Sequence, residues 1–237
     1  MALFSLETSV IIQIPKVLSQ KQVSSMRAAM ETQSVWIDGN ATAGAQAVSV
    51  KHNQQLDQNH EVTRQLGDFV LDALSQSSMF ISAALPQKIS PPMFNRCDQS
   101  QGYGLHVDNA IRIIPGTAIR LRTDLSATIF LSNPDDYDGG ELEIQDKYGS
   151  HAVKLEAGDM ILYSSTSLHR VRPVQSGSRV CAVFWMQSMV RDDNKREVLY
   201  DLDKTIQSLT PGLGARDENL LRLNRTYQNL LQQWSET

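Results

Sequence analysis

Four residues stand out by type and spacing. His106 and Asp108 lie two apart in Tyr103-Gly104-Leu105-His106-Val107-Asp108-Asn109. In an extended strand, residues two apart project from one face, so an imidazole and a carboxylate can enter the same cavity. Ferrous iron accepts both donors. An HxD tripeptide also arises by chance, and a surface or capping pair is the plain alternative. His169 sits far downstream in Ser167-Leu168-His169-Arg170-Val171-Arg172-Pro173. It would complete a set of two histidines and one carboxylate, which leaves a face of the metal open, as oxygen activation requires. Alone it reads as a satisfied core histidine. Arg179 follows His169 by ten residues, across Ser176-Gly177, and begins the apolar run Val180-Cys181-Ala182-Val183-Phe184-Trp185. Burying a guanidinium without an anion is costly. In an antiparallel hairpin Arg179 would face the cavity of His169, and its planar fork matches a carboxylate. A dicarboxylic keto acid could chelate the metal at one end and meet Arg179 at the other. An internal salt bridge to an Asp or Glu is the alternative.

These residues fall in a stretch, from about Lys88 to Ser188, where short β-rich runs are separated by turns. The runs are Met93–Cys97, Tyr103–Val107, Asp124–Leu131, Gly140–Ile144, His151–Leu155, Met160–Tyr163, His169–Val174 and Arg179–Met186. Many short strands at this spacing indicate a sandwich or barrel. Upstream, Val10–Ile14 reads as a strand. Ser19 with Gln22 three residues on forms a capping box for a helix, and Val62, Leu66, Phe69, Val70, Ala73 and Leu74 share one face of a second helix from about Asn59 to Gln76. Downstream, Val198, Leu199, Leu202, Ile206 and Leu209 share a helical face, Pro211-Gly212-Leu213-Gly214 breaks the chain, and Leu220, Leu223, Tyr227, Leu230, Leu231 and Trp234 mark a last helix. The two read as a helical hairpin packed on the β core or on a second subunit.

Composition limits the remaining choices. The 237 residues, 41% hydrophobic and 20% charged, suit one large domain, or one domain with a small appendage. A net charge of -4 does not favour nucleic acid. Cys97 and Cys181 read as two buried thiols in a reducing cytoplasm rather than a disulfide framework. The N-terminus carries no export signal, and no stretch is apolar enough to span a membrane. Asp135, Asp136 and Asp138 beside Gly139-Gly140 read as turn chemistry rather than a calcium site. His52, His60 and His151 lack companions at ligand spacing.

Several longer segments carry a family resemblance: Gly44-Ala45-Gln46, Asn53–Gln55, Phe94-Asn95-Arg96, YGLHVDNA at 103–110, RTDLSATIFLS at 122–132, YDGGELEI at 137–144, AGDMILY at 157–163, SSTSLHRVRPV at 164–174 and MQSMVRDD at 186–193. In these the chain resembles, over nearly its whole length, the PKHD-type hydroxylases, a bacterial branch of the iron(II)- and 2-oxoglutarate-dependent oxygenases related to prolyl 4-hydroxylases. The resemblance implies an α+β fold with a mainly β core, a double-stranded β-helix (jelly roll) at 88–190. An N-terminal support region at 1–87 and a C-terminal helical hairpin at 191–237 would flank it. It implies iron on His106, Asp108 and His169, with Arg179 on the distal carboxylate of 2-oxoglutarate. Tyr103 could lie near the cosubstrate or be a packed aromatic. It further implies use of dioxygen and L-ascorbate, and a link to iron uptake. Family members often place Tyr after Phe-Asn-Arg where this chain has Cys97. The apolar residues Ile129, Leu131, Val183 and Trp185 are expected to exclude water from the centre. The substrate, a small molecule or a protein, is not legible, and the terminal helices could form a homodimer interface. Two other readings compete: a cupin-type dioxygenase without the keto acid, and a non-catalytic iron or small-ligand sensor.

Overall fold

The computed structural model describes residues 11–32, 36–39, 50–146 and 148–236. Val10 and the Gly44-Ala45-Gln46 segment lie outside them. The chain begins with β1 (Ile11–Ile14), α1 (Gln20–Thr32), β2 (Trp36–Asp38), β3 (Lys51–His52) and β4 (Gln54–Leu56). Two helices follow, α2 (Glu61–Ser75) and α3 (Ser78–Ala84), then β5 (Pro86–Ile89), β6 (Met93–Cys97) and β7 (Gly102–His106). A short hairpin, β8 (Ile111–Ile113) and β9 (Arg120–Arg122), precedes β10 (Leu125–Phe130), β11 (Tyr137–Gly139), β12 (Leu142–Asp146) and β13 (Gly149–Val153). The chain ends with β14 (Met160–Ser164), β15 (Leu168–Val171), β16 (Val174–Gly177), β17 (Arg179–Ser188), α4 (Asp193–Leu213) and α5 (Glu218–Trp234).

The result is a mixed fold of helices and antiparallel sheets. The larger sheet runs β1-β14-β10-β17-β6-β4-β2, with β5 also paired to β17, and the smaller runs β13-β12-β15-β7-β3. Strand alternation decides what each face does. From β10, β14 and β17, the residues Ala127, Ile129, Met160, Leu162, Val180, Ala182, Phe184 and Met186 join Val23, Met26 and Met30 of α1, Leu66, Val70 and Leu74 of α2, and Phe80 of α3 in one apolar core. From the opposite face Phe130, Ile161 and Tyr163 pack on Leu142 and Ile144 of the smaller sheet. Where side chains of that face are polar, the space between the sheets opens into a cavity of about 400 Å³.

Local signals formed as their chemistry dictates. Ser19 N donates to Gln22 Oε1 at 2.8 Å and Gln22 N to Ser19 Oγ at 3.3 Å, the capping box that starts α1. Asp192 caps α4 through Lys195 N at 3.0 Å. Three expectations need correction. The break expected over Pro211-Gly212-Leu213-Gly214 falls at the far end of that segment: α4 runs through Pro211 to Leu213 and ends at Gly214, whose φ is +82°. In the last turn a proline forfeits only one helical hydrogen bond, so its cost is small there. Phe69 is 38% exposed rather than buried with its helical neighbours. The third concerns His169 and Arg179. They are not partners in a hairpin, because β15 belongs to the smaller sheet and β17 to the larger. Between them β16 pairs with β11. Gly177 ends β16 at φ +76°, where a Cβ would stand 2.2 Å from Asp136 O. Only glycine suits that close approach in a left-handed conformation. Among the described residues, no helix is long and apolar enough to cross a membrane.

Candidate active site

Register brings the two histidines together. His106, the last residue of β7, lies directly opposite His169 of β15. Their rings are 4.2 Å apart. Each imidazole is oriented by a backbone carbonyl two residues upstream: His106 Nδ1 lies 2.8 Å from Gly104 O, and His169 Nδ1 lies 3.0 Å from Ser167 O. With Nδ1 carrying the donated proton, Nε2 keeps its lone pair for a metal. Burial, with His169 alongside, pushes the His106 imidazole down to about 4, so the ring is neutral at physiological pH.

Asp108 lies just past the end of β7, in the stretch after the strand. Its Oδ2 accepts from Ser126 Oγ at 2.6 Å and sits 3.7 Å from His169 Nε2. Ser126 Oγ is in turn 2.8 Å from Ser165 Oγ. One ligand atom from each of His106, Asp108 and His169 lies within 4.8 Å of the others. Tyr103 stacks on His106 with ring centroids 3.7 Å apart and borders the cavity, and burial raises its hydroxyl to about 12. Tyr163, fully enclosed, meets His169 edge-on at 5.2 Å.

Arg179 reaches the same cavity from the facing sheet. It is 2% exposed and borders the cavity wall. Its Nη1 donates to Cys181 Sγ at 3.0 Å, and its guanidinium lies 5.4 Å from the Phe130 ring. Its Nε has no hydrogen-bond partner. No carboxylate among the described residues forms an ion pair with Arg179, so the internal salt bridge considered from sequence is not what holds it. A buried cation with an unused donor points to an anionic ligand. Cys97 is its cross-strand neighbour, in register with it on β6. Burial pushes that thiol up to about 12, which keeps it neutral. Both cysteines are free and buried.

Other cavity residues gave no distinctive sequence signal. Lys51, whose Nζ donates to Gly39 O at 2.8 Å, is lowered to about 8 by burial. Asn53 donates to Asn95 Oδ1 at 3.1 Å, and Ser126 and Arg112 complete the polar wall. Val183 and Trp185 line the cavity as expected, whereas Ile129 and Leu131 belong to the helix-side core. Two of the remaining histidines do structural work: His60 Nδ1 accepts from Val62 N at 3.2 Å at the start of α2, and His151 lies 3.0 Å from Asp146. Asp136 and Asp138 serve the turn, accepting from Asn133 N and Ser176 Oγ at 2.8 Å each.

Comparison with known proteins identifies the family. A family model described as the 2OG-Fe(II) oxygenase superfamily matches residues 92–187, and one described as the PKHD-type hydroxylase C-terminal domain matches residues 193–236. A PKHD-type hydroxylase of Methylobacillus flagellatus is 51% identical over 96% of this chain and 100% of its own length. One from Saccharophagus degradans shows the same identity and coverage. Among solved structures, a Pseudomonas putida prolyl-4-hydroxylase shares the fold with a TM-score of 0.52 at 19% identity, over 76% of this chain and 94% of that one. On the strength of these matches, the chain belongs to the PKHD-type hydroxylases, iron(II)- and 2-oxoglutarate-dependent dioxygenases of the 2OG-Fe(II) oxygenase superfamily.

Proposed function

We propose that His106, Asp108 and His169 hold iron(II), that Arg179 grips the distal carboxylate of 2-oxoglutarate, and that the enzyme hydroxylates a substrate seated in the same cavity. One observation carries this reading: three ligand atoms within 4.8 Å of one another share a cavity with a buried arginine that has no acid partner. The donor set fits the metal, since both histidines present Nε2 and Asp108 is fixed by Ser126. Bound iron and 2-oxoglutarate supply the oxidising chemistry, in which oxidative decarboxylation of the keto acid drives insertion of one oxygen atom from dioxygen into a C–H bond.

The chain's own residues do the positioning. The Gly104 and Ser167 carbonyls fix the imidazole tautomers. Ser126 sets the Asp108 carboxylate. Arg179, held by Cys181 Sγ and Phe130, offers its fork to the diacid, and Tyr103, against His106, closes the wall beside it. Val183, Trp185 and Met93 exclude water from the centre. In the same reading the facing sheets are the halves of a double-stranded β-helix spanning 88–190, supported by residues 1–87 and followed by a helical hairpin at 191–237. The enzyme works in the cytoplasm, with ascorbate keeping the metal ferrous, and serves iron uptake. The sensor reading gains nothing from relatives described as hydroxylases.

Anaerobic calorimetry tests the assignment. Arg179→Leu should keep iron(II) but bind 2-oxoglutarate more weakly by about 2–5 kcal/mol, because a buried carboxylate is left without its partner. His169→Ala should lose metal and turnover together. Unchanged 2-oxoglutarate affinity in the first variant, or normal iron content in the second, overturns the corresponding role.

A further inference from the structure

We infer that the cavity contains a second anion station, at Arg112, and that the substrate is a small carboxylic acid with an apolar body whose head group Arg112 holds. The inference rests on the functional reading above. It starts from the β8–β9 hairpin, which follows the Asp108 loop. Alternation turns Ile111 and Ile113 outward, 55% and 64% exposed, and turns Arg112 inward to the cavity. There the guanidinium lies over Trp185, with Cζ 3.7 Å from the ring centroid, and Nη2 reaches Met93 Sδ at 3.9 Å. Stacking leaves the in-plane N–H donors of a guanidinium available for a carboxylate, and a thioether is a weak acceptor that does not use them up.

Among the described residues Arg112 forms no ion pair. Asp108, the acid whose field it feels most, is already engaged by Ser126 and belongs to the metal cluster. Burial lowers the Arg112 pKa, so the protein incurs a cost for placing this charge here.

The cosubstrate cannot meet that need. Arg179 donates to Cys181, whereas Arg112 rests on Trp185. Cys181 and Trp185 are four residues apart on one face of β17, which at strand rise is about 13 Å. In the functional reading above, a diacid gripped at Arg179 has its other carboxylate on the metal held by His106, Asp108 and His169, so neither of its ends is left for Arg112. The two guanidiniums therefore serve two different anions. The Arg112 guanidinium over Trp185, with Met93 beside it and the half-exposed Leu105 and Val107 lining the same cavity, matches a carboxylate carried on an apolar chain.

The test uses hexanoate and hexanamide as probes, titrated calorimetrically into anaerobic enzyme loaded with iron(II) and 2-oxoglutarate, in wild type, Arg112→Gln and Arg112→Lys. The wild type should bind the acid at least tenfold more tightly than the amide. Arg112→Gln should lose that preference, Arg112→Lys should keep part of it, and 2-oxoglutarate affinity should stay within twofold in both. Equal binding of acid and amide by the wild type, no binding of either, or a preference surviving in Arg112→Gln overturns the proposal. Should Arg112→Gln abolish 2-oxoglutarate binding while Arg179→Leu leaves it intact, both the second station and the Arg179 assignment fall.

Discussion

Ser126 shows how much of a metal site lies one bond beyond its ligands. Its hydroxyl donates to Asp108 Oδ2 at 2.6 Å, the oxygen that also faces His169 Nε2, and thereby fixes the orientation of the carboxylate. Groups that orient ligands in this way are worth about 10–100-fold in metal affinity. Ser126→Ala should weaken iron binding by about that factor, read by competition with a chelator, while thermal stability stays near wild type; an unchanged affinity would show that the carboxylate needs no guide. A second expectation concerns Cys97. A thiol raised to about 12 and 3% exposed should resist alkylation at pH 8 until the protein unfolds, and rapid native labelling would contradict that. His106, Asp108, His169 and Arg179 were legible in the sequence because polar groups with ligand chemistry interrupt apolar strands. Ser126, Tyr163 and Arg112 were not, because serine and tyrosine are ordinary in strands and an arginine reads as solvated until a fold turns it inward.

At the scale of elements, β15 is held on two faces. His169 points into the cavity, while Arg170 and, just past the strand, Arg172 both pair with Glu143, across the strand partner β12. The Arg170 and Arg172 guanidiniums hold the Glu143 carboxyl below its ordinary value of 4.5. A carboxyl depressed by folding contributes stability that is complete above that ordinary value and is lost as pH falls through its folded value. Glu143→Gln should therefore lower the melting temperature at neutral pH, and the gap to wild type should close as pH drops well below 4.5. A gap independent of pH would mean that the pairs carry no net stabilisation, as exposed pairs often do. Elements were legible in proportion to their length and period. Met93–Cys97 matches β6 residue for residue. The seven-residue α3 and the three-residue β8 and β9 went unread, because so few residues establish no period. The supposed hairpin after His169 failed for a different reason: sequence reports that a strand turns, but not that the next strand has crossed to the other sheet.

Across the whole molecule, the C-terminal helices are fastened to the end of the β core rather than to the cavity. Leu199 of α4 is fully buried with Leu85 and Val190, and Tyr227, Leu230, Leu231 and Trp234 of α5 close over them. Glu236 N donates to Met189 O at 2.8 Å, and the Glu236 side chain meets Arg122 at 2.7 Å. Leu199→Ala should cost about 2–5 kcal/mol of stability, in one unfolding transition and with 2-oxoglutarate affinity unchanged. A separate early transition would show that these helices melt by themselves.

The division of the cavity between two layers has a mechanical corollary. The proposed metal ligands come from the smaller sheet and its adjoining loop, and the arginine proposed to anchor the cosubstrate comes from the larger one. A keto acid chelated at one wall and clamped at the other is a strut across the gap, and it should damp the breathing of both walls together. Amide hydrogen exchange would register this as simultaneous slowing at His169–Val171 and at Val180–Cys181 when iron and 2-oxoglutarate are both added, with iron by itself quieting only the wall that binds it.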